Sequence, residues 1–258
     1  MPITAGIHYI LHEGGKSNKA PLVLIHSAGG DHLSWPPEIR RLADVRVFTL
    51  DLPGHGKSEG PGCQSADDYA ERVVGFLNGV GLSRAVFVGH ALGGAIALTL
   101  AIAHPERVAG NMLISSGSRL PISSSVLENV ANPATFILAV QSLLELMHIP
   151  QAAKNLKDKT FKQLSSIRPS LFQGDLQACD KFDVTTRLDA IRTPVLVVCG
   201  TDDQLAPRRY SENLAGQIPG AALQTIDGAG HLVMFEQPRR VAALMSVFLT
   251  AIPYLPGS

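Results

Sequence analysis

The chain has 258 residues, of which 45% are hydrophobic and 17% charged, with 24 glycines. That balance fits one globular α/β domain carrying an insertion, because α/β folds of roughly 200–250 residues often form a single domain. Lys+Arg and Asp+Glu stand at 22 each, which removes any electrostatic case for nucleic acid or an anionic membrane and leaves a small, neutral, apolar partner.

In chain order, β-rich runs occur at residues 7–11, 22–25, 45–50, 85–88 and 112–115, then at 195–199 and 223–226. Several are continuously apolar, as expected of strands covered on both faces. Helical periodicity lies between them. Residues 66–80 place Ala70, Val73, Val74 and Leu77 on one stripe, 91–103 is rich in Ala and Leu, and 208–218 and 238–250 follow. The alternation predicts a mostly parallel sheet with helices on both faces. Segment 85–105 lacks Asp, Glu, Lys and Arg over a length that suits a membrane span. His90, His104 and Gly93-Gly94 divide it into a strand-like and a helix-like half, so it reads as a buried strand, turn and helix with no membrane role.

Between about Arg119 and Arg187 the strand signal lapses. Ser123-Ser124-Ser125, Asn129 and Asn132-Pro133 punctuate a helix-like stretch with apolar Phe136, Ile137, Val140, Leu143, Leu144 and Met147. Phe161, Leu164 and Ile167 then recur at three-residue steps, and Thr193-Pro194 announces the next strand. We read 119–187 as a small helical cap inserted after the sixth strand, with 1–118 and 188–258 as the core. As ordinary crossovers these helices would be unusually long. An apolar pocket is expected beneath the cap. Apolar cap helices serve a monomer or a homodimer equally well. We find no internal repeat and no low-complexity segment.

Cys63, Cys179 and Cys199 are odd in number and irregularly spaced, so neither a disulfide framework nor a metal signature emerges, and no metal or other cofactor is expected. Cys199 ends an apolar run and reads as a buried, inert thiol. A reducing, cytoplasmic setting is the simple expectation. Residues 1–20 lack the basic start and apolar run of a signal peptide.

Four segments carry chemistry. The first is Gly89-His90-Ala91-Leu92-Gly93-Gly94, where an apolar strand enters a tight small-residue turn and an Ala/Leu-rich helix leaves it. The second is His26-Ser27-Ala28-Gly29-Gly30, a small-residue loop after the strand at 22–25. The third is Gly200-Thr201-Asp202-Asp203-Gln204-Leu205-Ala206-Pro207, and the fourth is Asp227-Gly228-Ala229-Gly230-His231, each directly after a strand. A further loop, Asp51-Leu52-Pro53-Gly54-His55-Gly56-Lys57-Ser58, receives no catalytic role, and His55 reads as a structural hydrogen-bonder.

Together these segments resemble the α/β-hydrolase superfamily from about residue 20 to the end apart from the cap, most closely its carboxylesterase and enol-lactonase-like branch. The resemblance implies an α/β-hydrolase fold. It also implies a nucleophile at position 91, an acid at 203 and a base at 231, in the chain order Ser…Asp…His. The acid is read as Asp203 from its spacing to the glycine and proline, with Asp202 as the rival turn or cap residue. His231 could alternatively cap the helix that follows. The oxyanion donors are placed at the Ala28 and Leu92 amides. Ser27, standing where the family commonly has glycine, is a substrate-contact candidate, and so is His90, for which packing is the alternative role.

The centre of G-x-S-x-G is alanine here. With serine at 91 the resemblance implies carboxylic ester hydrolysis by acyl transfer, with Asp203 orienting His231 and the two amides holding the oxyanion. Lactone or enol-lactone hydrolysis and C–C bond hydrolysis are alternatives on the same scaffold. Loss of a serine nucleophile costs on the order of 10⁶ in kcat, so this chain is expected to bind a small ester or lactone and be inert towards it. A strained turn costs about 1–3 kcal/mol and gives alanine no catalytic return, which favours a serine replaced by design over a natural pseudoenzyme that uses the pocket as a receptor.

Overall fold

A computed structural model describes residues 2–15, 19–149 and 151–252. Strands β1 (Ile3–Thr4), β2 (Ile7–His12) and β3 (Leu22–Ile25) precede the short helix α1 (Pro37–Arg40). Then come β4 (Val47–Leu50), α2 (Ala66–Gly79), β5 (Ala85–His90), α3 (Leu92–Ala103) and β6 (Val108–Ile114). Four helices follow without a strand between them: α4 (Ser124–Ala131), α5 (Phe136–Met147), α6 (Lys154–Ser165) and α7 (Pro169–Lys181). The chain continues through β7 (Val195–Gly200), α8 (Arg208–Gln217), β8 (Ala222–Ile226), α9 (Val233–Glu236) and α10 (Pro238–Thr250).

The strands form one eight-stranded sheet in the order β1-β2-β4-β3-β5-β6-β7-β8. β1 and β2 pair antiparallel with their neighbours, and every pairing from β4 to β8 is parallel. The central strands are wholly buried, and their alternation sorts side chains into two cores. Val23, Ile25, Phe87 and Leu113 pack with α2 and α3 residues such as Val73, Phe76 and Ile96. Leu22, Leu24, Val88 and Met112 pack on the other face with Trp35, Ile39, Val241 and Met245. A parallel sheet needs this double cover, which is why the strands read as unbroken apolar runs. Helix α2 shows the local logic. The Ser65 hydroxyl accepts the Asp68 N–H at 3.1 Å, and Tyr69, Ala70, Val73, Phe76 and Leu77 are its buried stripe.

Helices α4 to α7 have their own apolar cluster, including Val130, Phe136, Val140, Leu143 and Phe172, which meets the core at Leu232. Two strand expectations need correction. β6 begins at Val108, four residues before the predicted 112–115 run. Gly110 and Asn111 disguise it, being poor strand formers, but the Asn111 side-chain N–H donates to the Ala97 carbonyl at 3.2 Å and so is accommodated in the interior. β1 was not predicted, because two residues carry no readable period. Counting it, α4 to α7 follow the sixth strand. Segment 85–105 resolves into β5 and α3, and among the described residues no helix is long and apolar enough to cross a membrane.

Candidate active site

Ala91 lies between β5 and α3 with φ +48° and ψ −108°, in the left-handed half of backbone space that a Cβ disfavours. The turn is possible because its flanks are glycines. A Cβ on Gly89 would run into the Gly93 carbonyl, and one on Gly93 into the Ile25 carbonyl. The strained peptide is held from several sides. The Ala91 N–H donates to the Ile114 carbonyl at 3.0 Å. The Ala91 carbonyl accepts from the Gly94 and Ala95 amides at 2.9 and 3.1 Å and from the Ser116 hydroxyl at 3.0 Å.

Asp203 stands in the loop after β7, buried, with Oδ1 accepting the Leu205 and Ala206 amides at 3.0 and 2.8 Å. Its two oxygens lie 3.1 and 3.0 Å from His231 Nδ1. Burial works to raise the Asp203 carboxyl. The charge and hydrogen bond of His231 and the Ala206 amide outweigh burial and hold it below the usual carboxylate range. The neighbouring Asp202 is exposed and takes a hydrogen bond from the Thr201 hydroxyl at 3.0 Å instead. His231 follows β8 on the glycine-rich loop, which Glu236 anchors by accepting the Gly230 N–H at 2.6 Å. With Nδ1 on the carboxylate, Nδ1 carries the hydrogen of the neutral ring and Nε2 keeps its lone pair.

His231, Ala91, Leu92, Ala28 and Ser27 all line one cavity. Its remaining walls are mainly apolar, with Leu143, Met147, Leu164, Phe172 and Leu176 coming from α5, α6 and α7. Among the described residues, no Lys or Arg lines the cavity. Leu92 opens α3, where a helix's first N–H groups lack intrahelical partners. The carbonyl of Ser27 is taken by His26 Nδ1–H at 2.7 Å and the Gly30 N–H at 3.0 Å. A trans peptide is planar, so the Ala28 N–H on its opposite side is held as well. His90 is placed differently. It is buried, lies outside the lining of this cavity, and donates from Nε2 to the His231 carbonyl at 3.0 Å. Burial, helped by the nearby His231, lowers its pKa to about 3, so it is neutral at ordinary pH. Sequence reasoning missed Tyr210, which reaches the cavity from α8. A lone tyrosine in mid-helix carries no motif.

Among the described residues, one cluster has potential metal ligands close enough to share an ion: His8, His32 and Asp51. His8 Nδ1 and His32 Nδ1 lie 2.7 and 2.8 Å from the carboxylate, which also accepts the His32 and Lys57 amides at 2.6 and 3.0 Å. Four donors saturate Asp51, so the cluster acts as a brace for the 51–58 loop.

A family model described as the alpha/beta hydrolase fold matches residues 20–238. The chain is 31% identical over 263 aligned positions to a 2-hydroxymuconate semialdehyde hydrolase from Pseudomonas putida, spanning 96% of this chain and 92% of that one. Among solved structures it superposes on Est816, described as an N-acyl homoserine lactone degrading enzyme, with TM-score 0.83 and 29% identity over 94% of this chain and 96% of that one. It also superposes on a thermophilic esterase from Thermogutta terrifontis with TM-score 0.85 and 26% identity, covering 95% and 93% of the two chains.

Proposed function

This chain belongs to the α/β-hydrolase fold family, and from that premise we propose that its site is built for carboxylic ester hydrolysis, with the nucleophile position occupied by alanine. The observation that carries the reading is that His231, on the wall of the apolar cavity that Ala91 also lines, is paired behind that wall with buried Asp203. A serine at 91 would take the strained position between β5 and α3. His231 Nε2 would accept its proton, and Asp203 would hold the ring in that tautomer and stabilise the imidazolium. The Ala28 and Leu92 amides would receive the oxyanion, and water would release the acyl group by the same route. Alanine supplies no attacking oxygen. The present chain is then a binder of esters with turnover reduced by about 10⁶.

Among the described residues no Lys or Arg lines the cavity, which favours an uncharged ester or lactone over an anionic acid that would lose its hydration without gaining a counter-charge. Similarity to a lactone-degrading enzyme and to an esterase supports the same class. The relative named for 2-hydroxymuconate semialdehyde favours C–C bond hydrolysis as the second reading. Turnover of short p-nitrophenyl esters and then of lactones by Ala91→Ser separates the two. The ester reading predicts activity that rises by several orders of magnitude over the alanine chain. A folded revertant inert towards both classes would leave C–C hydrolysis or ligand binding.

A further inference from the structure

The loop that carries Ala28 is tied to the segment between β6 and β7 by one carboxylate. Asp175, on α7, is wholly buried. Its Oδ2 accepts the Gly29 N–H at 2.8 Å and faces His55 Nε2 at 2.8 Å, and its Oδ1 accepts the Tyr69 hydroxyl at 2.6 Å. All three donors belong to the sheet-and-helix core, and Asp175 alone comes from the four-helix segment. The other nitrogen of His55, Nδ1, lies 3.0 Å from the Pro53 carbonyl. A carbonyl only accepts, so Nδ1 bears a hydrogen. Nε2 bears one as well, because the ionised carboxylate oxygen it faces only accepts. His55 is therefore an imidazolium paired with Asp175.

We propose that Asp175 is the positioning residue for the oxyanion loop, so that docking of the α4–α7 segment completes the oxyanion hole. This rests on the ester-hydrolase reading given above. The geometry works through two consecutive peptides. The Ser27–Ala28 peptide is held by His26 and Gly30 on its carbonyl. The Ala28–Gly29 peptide is held by Asp175 on its N–H. Ala28 is thus fixed on both sides, and its own N–H has one direction left to point. The two anchors also touch, since the His26 ring stands 5.0 Å from that of His55, the cation that Asp175 holds. If α7 lifts away, the Gly29 N–H, the Tyr69 hydroxyl and a cationic His55 converge on a vacated spot, and nothing in the core replaces the carboxylate. Asp175 is outside the lining of the cavity, so it acts through the loop and not on substrate.

The test uses the full chain in two backgrounds. In the present alanine chain, Asp175→Asn should speed amide exchange at Ala28 and Gly29 by about tenfold or more. Met245→Ala, which loosens the apolar core on the opposite face of the sheet, should leave exchange at those two amides unchanged at matched global stability. In the Ala91→Ser background, Asp175→Asn should lower kcat about 10-fold or more while KM stays within about twofold, because a displaced oxyanion donor acts on the transition state. Unchanged exchange at Ala28 and Gly29 overturns the proposal whatever the activity. So does altered exchange with an unaltered kcat in an active revertant. An inert Ala91→Ser chain with the exchange effect intact upholds the positioning role and instead overturns the ester reading. Should Asp175→Asn leave His55 a buried unpaired cation and prevent folding, the pair Asp175→Asn with His55→Gln removes both charges together, and the same two readouts apply.

Discussion

Ala91 holds a backbone conformation that suits a nucleophile and gives a methyl group no advantage. With φ at +48° the residue stores about 1–3 kcal/mol of strain. Glycine removes the Cβ clash but loses about 0.5–1 kcal/mol more in backbone entropy. Ala91→Gly should therefore stabilise the chain by about 1 kcal/mol in urea unfolding, and a loss of stability would mean the turn is relaxed as it stands. Residue-level chemistry was legible where glycines and loop spacing mark it. The segments bearing Ala28, Ala91, Leu92, Asp203 and His231 stand out because tight turns and close backbone approach restrict residue choice. Asp175 and Tyr210 were not legible, because a single polar residue inside a helix has no spacing to betray it. His90 shows the limit from another side. Sequence neighbours of position 91 alternate in direction, and this one turns to the His231 carbonyl.

At the scale of elements, what positions the site is the contact of α3 with the end of β3. Gly93 sits against the Ile25 and His26 carbonyls so closely that no side chain fits. Gly93→Ala should cost at least about 2 kcal/mol of stability and displace Leu92, because the clash is with backbone and no rotamer relieves it. A variant as stable as the parent in urea would show that the helix approaches less closely than described. The central strands were readable from continuous apolar runs because burial on both faces leaves few other choices. β6 was cut short in the reading because Gly110 and Asn111 interrupt the run. The tertiary bond from Asn111 to Ala97 explains the asparagine, and close packing of Ile252 where a Cβ would stand explains the glycine. Helix α10 was predicted with the bounds observed, since Pro238 at its first turn sets the start.

At the scale of the whole molecule, buried histidines set the pH response. Burial, assisted by His55, lowers His26 to about 4, and burial with His231 lowers His90 to about 3. Both make hydrogen bonds that suit the neutral ring. Burial also lowers His148 to about 4, so between about pH 6.5 and 4 the unfolded chain binds protons at all three histidines that the folded chain does not, and stability falls as pH falls. Each such histidine contributes roughly 1 kcal/mol per pH unit to the slope. His55 has the opposite sign. Burial would lower its pKa, but Asp175 raises it overall, so its contribution is complete below pH 6.5 and is lost only as pH rises through its folded value. Urea midpoints across pH 4–8 should fall steeply on the acid side of 6.5. A flat acid limb would mean that His26, His90 and His148 accept protons in the folded protein.

The central claim, that Asp203, His231 and the amides of residues 28 and 92 await an oxygen at position 91, is tested most directly by covalent labelling. A fluorophosphonate should react with Ala91→Ser at one equivalent, located on residue 91 by peptide mass spectrometry, and the label should vanish when His231→Ala is added. The present alanine chain should remain unlabelled under the same conditions. Stoichiometric labelling of the alanine chain, or a folded revertant that takes no label at residue 91, would contradict the account.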